Sequence, residues 1–447
     1  VTSANPLTLS GTGTATSGAL LNTSTTTAAS FNGLISLAGN STIGTTQAWG
    51  LNLTNTGAIT GSGYDLTYNG VYASSTSTWA SSLNTGSGRF IKTGPAKLVL
   101  SGTSNFTGGT TLSGGILAIS DDSNLGAIPA TPTVNLTLAG GTTLQFAGQP
   151  TDLVLSPNRS VSLTGNATLQ NTSTTATATI SGAITGSANL TISGSGGSSK
   201  ALVLSGANNL SGNTTITQTA VVILGNTNAL GSGTLSIDNS SLDIGAFSQT
   251  VGAVTLNSTS SRASILGSGG VLTGSSYTLT TGITLPMTVS ASLGGSVAMT
   301  VSMTNNSNGV VTLSGNNSFS GGITLNSGGL GGSLFLQLGS PTALGTGPVL
   351  VNSGTSLDLL GQAISTGNAL TLNGTGPSNN GALTNTSTTA DASFKGRITL
   401  GSATSISAIA LGRAINLTYT GTVDNAGFDL TLGLANGSFA GQLTGNG

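Results

Sequence analysis

The sequence has no histidine, no cysteine and no glutamate, and only 4% of its residues are charged. These absences remove the usual general bases, thiol nucleophiles and zinc ligands, so acid–base chemistry would depend on aspartates and a few lysines and arginines. The net charge of −1 provides no basic patch for nucleic acid. No apolar run approaches the ~20 residues of a membrane-spanning helix. We therefore expect no enzyme activity, no catalytic residues, no cofactor, no nucleic-acid partner and no membrane-spanning segment in this chain.

Residues that favour helices are also scarce. Lysine and arginine together number nine and methionine three, whereas threonine, valine and isoleucine, which favour strands, are plentiful. Glycine accounts for 70 of the 447 residues, and chains of this composition are often disordered. Here 36% of the residues are hydrophobic and they recur at alternating positions. The sequence therefore predicts short strands that bury a core.

One stretch, from Leu98 to Ser120, occurs three times. Its first part, LVLSGTSNFTGGTTL, recurs as LVLSGANNLSGNTTI and VTLSGNNSFSGGITL. Each copy, which we call module A, predicts a short strand, a glycine turn and a second strand. The predicted repeat core is Leu100, Phe106, Leu112, Leu204, Leu210, Ile216, Leu313, Phe319 and Leu325. We expect both phenylalanines to pack on aliphatic side chains. Gly108-Gly109 and Gly321-Gly322 fit corners that need positive φ or a close approach between coils.

The segments between the A copies, which we call modules B, also repeat. Residues 7–37 and 370–400 align without a gap, and 20 of the 31 positions are identical. Modules A are predicted at about 88–150, 200–250 and 309–366, separated by modules B at 1–87, 151–199, 251–308 and 367–447. A period of this length across the whole chain indicates a stack rather than a sandwich or barrel. We predict one continuous all-β solenoid over residues 1–447, a single elongated rod of coils with ~20–25 residues each.

The A copies resemble a known family. Lys92-Thr-Gly-Pro-Ala-Lys-Leu-Val-Leu leads into the first copy, and Ala229-Leu-Gly and Ala343-Leu-Gly follow the later ones. This pattern is similar to the passenger-associated transport repeat of bacterial autotransporters. The resemblance implies a right-handed parallel β-helix that is exported to the bacterial cell surface or the extracellular medium. The chain starts at Val1 rather than Met, which we interpret as a processed or cropped secreted chain.

Asp121 and Asp122 are the candidate metal ligands, because a carboxylate pair after a strand can bind calcium. The alternative is a turn in which aspartate caps the coil. The second and third A copies lack such a pair, so the sequence favours the turn and no metal. Asp243 and Asp358 correspond to Gln145 in the first copy, which predicts outward or corner positions rather than a ladder of carboxylates.

Asparagine and tryptophan have two interpretations each. The Asn-x-Ser/Thr triplets at Asn22, Asn105, Asn171 and Asn385 permit glycosylation, but we expect asparagine side chains to stack along the axis of a solenoid. Trp49 and Trp79 occur only in the first B module. They either stack on sugar or fill the core or the end of the rod.

The resulting prediction is a non-catalytic extracellular β-solenoid that serves as adhesin stalk, surface coat or fibre. Both ends of the chain, including Gly447, lie in B modules without an evident cap, and open sheet edges favour pairing. We therefore expect either a segment of a longer passenger or subunits that associate with themselves, end to end or laterally. Cell-surface glycans and other cells are the other predicted partners. The alternatives are a polysaccharide-degrading enzyme and a carbohydrate-binding β-helix protein.

Overall fold

The computed structural model describes residues 4–14, 17–197, 199–305, 308–329, 331–409 and 413–445. Val1 and Gly447 lie outside the described residues. The chain divides into two compact units, residues 1–233 and 234–447. Strands and turns make up both units, and the described residues contain no α-helix. None of their helical turns is long and apolar enough to cross a membrane.

The described residues of the first unit form short strands and include a 3-10 turn at Asp122–Leu125. The strands are β1 Leu7–Gly11, β2 Leu20–Asn22, β3 Ala29–Phe31, β4 Ile35–Thr45, β5 Leu51–Leu53, β6 Ala58–Thr60, β7 Leu66–Gly70, β8 Thr76–Trp79, β9 Ser82–Asn84, β10 Phe90–Thr93, β11 Lys97–Leu100, β12 Thr110–Leu112, β13 Ile116–Ile119, β14 Thr133–Leu138, β15 Thr142–Phe146, β16 Leu153–Leu155, β17 Arg159–Leu163, β18 Ala167–Asn171, β19 Ala178–Ile180, β20 Ile184–Gly186, β21 Leu190–Ser193, β22 Leu202–Leu204, β23 Asn209–Leu210, β24 Thr214–Thr217 and β25 Val221–Leu224.

The second unit is built in the same way, with a 3-10 turn at Pro377–Asn379. Its strands are β26 Leu235–Asp238, β27 Ser241–Asp243, β28 Gln249–Thr250, β29 Ala253–Ser258, β30 Ser264–Leu266, β31 Val271–Thr273, β32 Ser276–Thr281, β33 Met287–Val289, β34 Ser292–Gly294, β35 Met299–Met303, β36 Asn308–Leu313, β37 Ile323–Asn326, β38 Ser333–Leu338, β39 Val349–Val351, β40 Thr355–Asp358, β41 Ala363–Ile364, β42 Leu370–Gly374, β43 Leu383–Asn385, β44 Ala392–Phe394, β45 Ile398–Ala408, β46 Ile415–Leu417, β47 Thr422–Asp424, β48 Leu430–Gly433 and β49 Gln442–Thr444.

Parallel pairing between successive coils defines three faces within each unit. In the first unit β17 pairs with β20, β18 with β21 and β19 with β22. In the second unit β29 pairs with β32, β30 with β33 and β31 with β34. Ala167 lies opposite Leu190 and Ala178 opposite Leu202, so these coils take 23 and 24 residues. The predicted β-solenoid of stacked parallel strands is confirmed.

Alternation along each strand sorts the side chains into a core and a surface. In β18, for example, Ala167, Leu169 and Asn171 are buried while Thr168 and Gln170 are partly exposed. Because coils stack in register, aliphatic side chains of neighbouring coils lie directly above one another, as Leu144, Leu169 and Ile192 do. The core is thus a continuous column of buried apolar groups in each unit.

Aromatic rings extend this column in the first unit. Tyr68, Trp79, Phe90 and Phe106 follow one another with centroid separations of 5.4, 6.1 and 6.4 Å. In the second unit Phe319 lies 6.1 Å from the ring of Tyr277. Phe106 and Phe319, which the sequence predicts to pack on aliphatic side chains, each lie beside another aromatic ring. The ring of Phe106 is tilted by 55° to that of Phe90, and the ring of Phe319 by 50° to that of Tyr277, at separations where aromatic pairs attract each other.

Glycine pairs form the predicted corners. Gly109 has φ of 82° and Gly322 has φ of 89°, a conformation that side chains disfavour. The preceding glycines, Gly108 and Gly321, allow the predicted close approach between coils. A Cβ on Gly108 would lie 2.5 Å from the carbonyl oxygen of Gly88. A Cβ on Gly321 would lie 2.3 Å from the carbonyl carbon of Val297. Both predicted roles, positive φ and close approach between coils, are confirmed.

Candidate functional site

The A module forms a strand, a corner and a strand on the next face. All nine residues of the predicted repeat core are buried. In the second copy Leu204 ends β22, Leu210 ends β23 and Ile216 lies in β24. The corner between the first two strands holds the one buried polar residue that recurs in every copy. It precedes the core residue at the corner by two positions: Ser104, Asn208 and Asn317.

This residue connects the coils on either side of it. The Oδ1 atom of Asn208 accepts from the backbone nitrogen of Ile184 at 2.8 Å, and its Nδ2 donates to the carbonyl of Ala229 at 2.6 Å. Asn317 makes the same two bonds, to Leu293 at 2.8 Å and to Ala343 at 2.6 Å. In the first copy the hydroxyl of Ser104 accepts from Leu83. These buried side chains replace hydrogen bonds that the corner backbone cannot make.

A second asparagine clamp occurs in three B modules, at the start of the segment Asn-Thr-Ser-Thr-Thr. Asn22, Asn171 and Asn385 are buried, and the Nδ2 of each donates across its own turn and to the next coil. For Asn171 the next-coil acceptors are the carbonyls of Lys200 at 3.1 Å and Ala201 at 3.0 Å. These three amides are already bonded inside the fold, whereas Asn105 is exposed.

Asparagine and aspartate also form ladders along the corners, as expected from the sequence. The Oδ1 of Asn166 accepts from the backbone nitrogen of Asn189 at 3.0 Å, and the Oδ1 of Asn189 accepts from Asn213 at 2.9 Å. At a similar corner Asp65 accepts from the backbone of Arg89 at 2.8 Å and forms an ion pair with its guanidinium. This hydrogen-bonded cation lowers the pKa of Asp65.

The candidate metal ligands Asp121 and Asp122 have separate partners within the protein. Asp121 caps the 3-10 turn, because its side chain accepts from the backbone and hydroxyl of Ser123 at 2.9 and 2.6 Å. Asp122 forms an ion pair with Arg159, with 2.7 Å between Oδ1 and Nε. Among the described residues, no three acidic side chains are grouped in a way that could hold a metal ion. The arrangement suits a capped turn.

Arg159 is fully buried and is the partner that the sequence did not identify. Besides Asp122, its guanidinium donates to the carbonyls of Leu125 at 3.2 Å and Gly126 at 2.9 Å and to the side chain of Asn135. It therefore connects the 3-10 turn to β17, more than one coil further on. A buried guanidinium is tolerated only when its donors are paired in this way.

Lys92 is the second buried cation. Its Nζ donates to the carbonyls of Thr93 and Gly94 at 2.7 Å each and of Gly114 at 2.9 Å, and lies 5.4 Å from the ring centroid of Tyr68. Burial lowers the pKa of Lys92 to about 7. No ion pair involves Lys92 among the described residues. Three carbonyls from two coils thus hold this ammonium group at the start of the first repeat.

Of the two positions predicted for Asp358, outward or corner, the structure shows the corner. Asp358 does end a strand, as a corner residue would, but it is fully buried. Its carboxylate accepts from the backbone nitrogens of Leu360 and Thr386 at 3.0 Å each and from the side chain of Gln337 at 3.1 Å. Gln145 is also buried, whereas Asp243 is half-buried. Burial of Asp358 is possible because backbone nitrogens of two turns donate to its carboxylate.

The two tryptophans differ in exposure. Trp79 is fully buried, with its indole nitrogen donating to the carbonyl of Leu51 at 3.2 Å. The sugar-binding alternative cannot use Trp79, since the ring has no face open to solvent. Trp49 is 43% exposed in the turn between β4 and β5.

These features define a protein of stacked parallel coils whose recurring polar groups hold the coils together. Three segments, residues 90–119, 199–218 and 304–330, match the passenger-associated-transport-repeat family. They contain all nine positions of the repeat core. The repeats and the β-solenoid fit an autotransporter passenger β-helix, a class that is secreted or displayed at the cell surface. Comparisons with curated proteins and with solved structures gave no match.

Proposed function

We propose that this chain is a non-catalytic extracellular β-solenoid that acts as an adhesin stalk, surface coat or fibre. The observation that carries the proposal is the use of buried polar groups. Asn171, Asn208 and Arg159 each bond to backbone or side-chain groups of other coils. Such groups rigidify a stack and leave few buried side chains free for chemistry. An exterior rich in serine, threonine and asparagine, with only 4% charged residues in the chain, suits a surface that must remain soluble while attracting few ions.

An enzyme that cleaves polysaccharide is the alternative, and it needs at least two carboxylates that converge with a basic residue. The two ion pairs among the described residues, Arg89–Asp65 and Arg159–Asp122, contain one carboxylate each. In the second of these the arginine is fully buried and has no access to a substrate. These observations support the structural proposal over the catalytic one.

Display at the cell surface is tested by protease treatment of intact producing cells. We expect proteinase K to remove the chain from intact cells while a cytoplasmic marker stays whole. A chain that is degraded only after lysis would contradict the proposal.

Self-association is the second part of the proposal. Leu432 in β48 and Leu443 in β49 are 37% and 52% exposed, and exposed apolar side chains on strands favour association with another chain. We expect the purified chain to form larger species as concentration rises, by light scattering and electron microscopy. Leu443→Lys replaces an exposed apolar side chain of β49 by a charge and should shift the distribution towards monomer.

Ile128→Lys is the matched control, because Ile128 is equally exposed but lies in a turn of the first unit. It should associate like the unmodified chain. A monomer at all concentrations would contradict self-association without bearing on surface display.

A further inference from the structure

Two neighbouring turns of the first unit form an exposed aromatic corner. Residues 46–50 follow β4, and residues 71–75 follow β7 on the next coil. The turns start side by side, since Thr45 pairs with Gly70 and the backbone nitrogen of Val71 donates to the carbonyl of Thr45 at 3.2 Å. They also end side by side, because a Cβ on Gly50 would lie 1.8 Å from the carbonyl oxygen of Thr76. The two turns therefore stack along the axis.

Three large apolar side chains project from this corner. Trp49 is 43% exposed, and Val71 and Tyr72 are each 46% exposed. The turn on the preceding coil, residues 23–28, contributes serine and threonine hydroxyls. None of the three turns contains an ionisable acid or base apart from the tyrosine phenol. The corner is thus an uncharged surface of aromatic rings bordered by hydroxyl and amide groups.

The solenoid itself does not require an aromatic side chain at this position. The asparagine clamps mark equivalent positions in three modules, because Asn22 bonds to the carbonyls of Trp49 and Gly50 as Asn171 bonds to those of Lys200 and Ala201. In the last module the clamp bonds to Ala414, so its equivalent position is Arg413. The same corner position therefore carries tryptophan, lysine or arginine on a constant scaffold.

We propose that the corner formed by Trp49, Val71 and Tyr72 binds a neutral saccharide. The C–H groups on one face of a sugar ring complement the negative π-face of an aromatic ring, and its hydroxyls match the bordering serine, threonine and glutamine side chains. None of the three turns carries a charged side chain, so an ionic ligand would find no ion-pair partner within them. Stacked turns present their aromatic groups along the axis, which fits an extended oligosaccharide. This inference rests on the proposed adhesive function and names neutral saccharides as the class of ligand for it.

The test uses the full chain and a single-tryptophan variant. The chain has two tryptophans, so Trp79→Phe leaves Trp49 as the only indole and makes its fluorescence a direct report on the corner. The probes are short neutral oligosaccharides of glucose, mannose, galactose and N-acetylglucosamine, with sialylated and sulfated oligosaccharides as charged controls. We expect at least one neutral probe to shift the Trp49 emission and to bind the full chain by calorimetry.

Trp49→Ser and Tyr72→Ser should each weaken that binding at least tenfold, which corresponds to about 1.4 kcal/mol. Lys200→Ser, at the equivalent clamp position, is the matched control and should bind like the unmodified chain. Circular dichroism checks that the variants fold, as expected for exposed positions. Absence of binding by every neutral probe, or binding that survives both corner substitutions, would overturn the inference. Protease access on intact cells does not depend on Trp49. The absence of saccharide binding and the absence of surface display are therefore distinguishable results.

Discussion

Individual buried asparagines form hydrogen bonds with backbone groups at the corners of the solenoid, where strand pairing does not reach. Asn171 shows the full set of bonds: its Nδ2 donates to the carbonyls of Ala176, Lys200 and Ala201, and its Oδ1 accepts from the backbone nitrogen of Ser173. Asn171→Ala leaves these backbone groups unpaired in a buried place. We expect it to lower the free energy of unfolding by about 2–4 kcal/mol, measured by urea titration.

Asn105→Ala is the control for Asn171→Ala. Asn105 belongs to the same type of triplet but its side chain is exposed. Its replacement should change the free energy of unfolding by no more than about 0.5 kcal/mol. Equal effects of the two substitutions would contradict the clamp.

Lys92 predicts a pH dependence of stability. Burial lowers its pKa to about 7, below the usual lysine value of 10.5. Between about pH 7 and about pH 10 the unfolded chain therefore binds a proton that the folded chain does not, so stability should rise with pH and be flat below about pH 7. Burial raises the pKa of Tyr68, so this neighbour stays neutral across the window. With no histidine or cysteine in the chain, few other groups titrate there.

The measurement is the urea midpoint at about pH 6 and about pH 9. The unmodified chain should be more stable at the higher pH. Lys92→Met should lose this difference, and Lys200→Met, at an exposed position, should keep it. A pH dependence that persists unchanged in Lys92→Met would assign it to another group.

At the scale of the strand and corner, the glycine pairs set how closely coils approach. Gly322 has positive φ, and a Cβ there would lie 2.4 Å from the carbonyl oxygen of Pro348. Gly367 also has positive φ, but no atom lies within 4 Å of its added Cβ. Both alanine variants share the backbone strain, so their difference isolates the contact between coils. Gly322→Ala should cost about 1–3 kcal/mol more in the free energy of unfolding than Gly367→Ala. Similar costs would show that backbone conformation alone matters.

The strands and corners were predictable from the sequence because two simple signals determine them. Alternating aliphatic residues such as Leu98 and Leu100 indicate which side of a strand is buried. Glycine pairs such as Gly108-Gly109 indicate where the chain turns. The recurrence of both at a fixed spacing indicates stacking, since a single strand pair cannot bury its apolar side alone.

The polar interior could not be predicted in the same way. Asn105 and Asn208 look alike in sequence, and only the path of the chain puts backbone donors and acceptors around Asn208. The burial of Asp358 and Lys92 likewise depends on turns of other coils that supply their partners. Arg159 pairs with a carboxylate 37 residues away, a contact that no local pattern indicates. The proximity of the turns that carry Trp49 and Tyr72 follows from the pairing of β4 with β7, which no local sequence pattern indicates.

At the scale of the whole molecule, a solenoid should tolerate the loss of one complete coil. Deleting residues 167–189 removes β18, β19 and β20 and joins Asn166 to Leu190. Asn166 then occupies the ladder position of Asn189 and can accept from the backbone of Asn213. In the shortened chain β15 meets β21 and β16 meets β22, so aliphatic residues still face aliphatic residues. Each coil contacts mainly its neighbours, which makes such a deletion a local change.

We expect the 167–189 deletion to keep a β-sheet circular dichroism spectrum and cooperative unfolding in urea. A deletion of residues 167–178 is the control, because it removes half a coil and brings β15 opposite a strand of another face. It should lose cooperative unfolding, since apolar side chains would no longer meet in register. If both deletions unfold alike, stability does not depend on complete coils. If only the half-coil deletion loses cooperative unfolding, the complete coil of 23 or 24 residues is the structural unit of this chain. The chain can then lengthen or shorten by whole coils while each remaining turn keeps its exposed side chains.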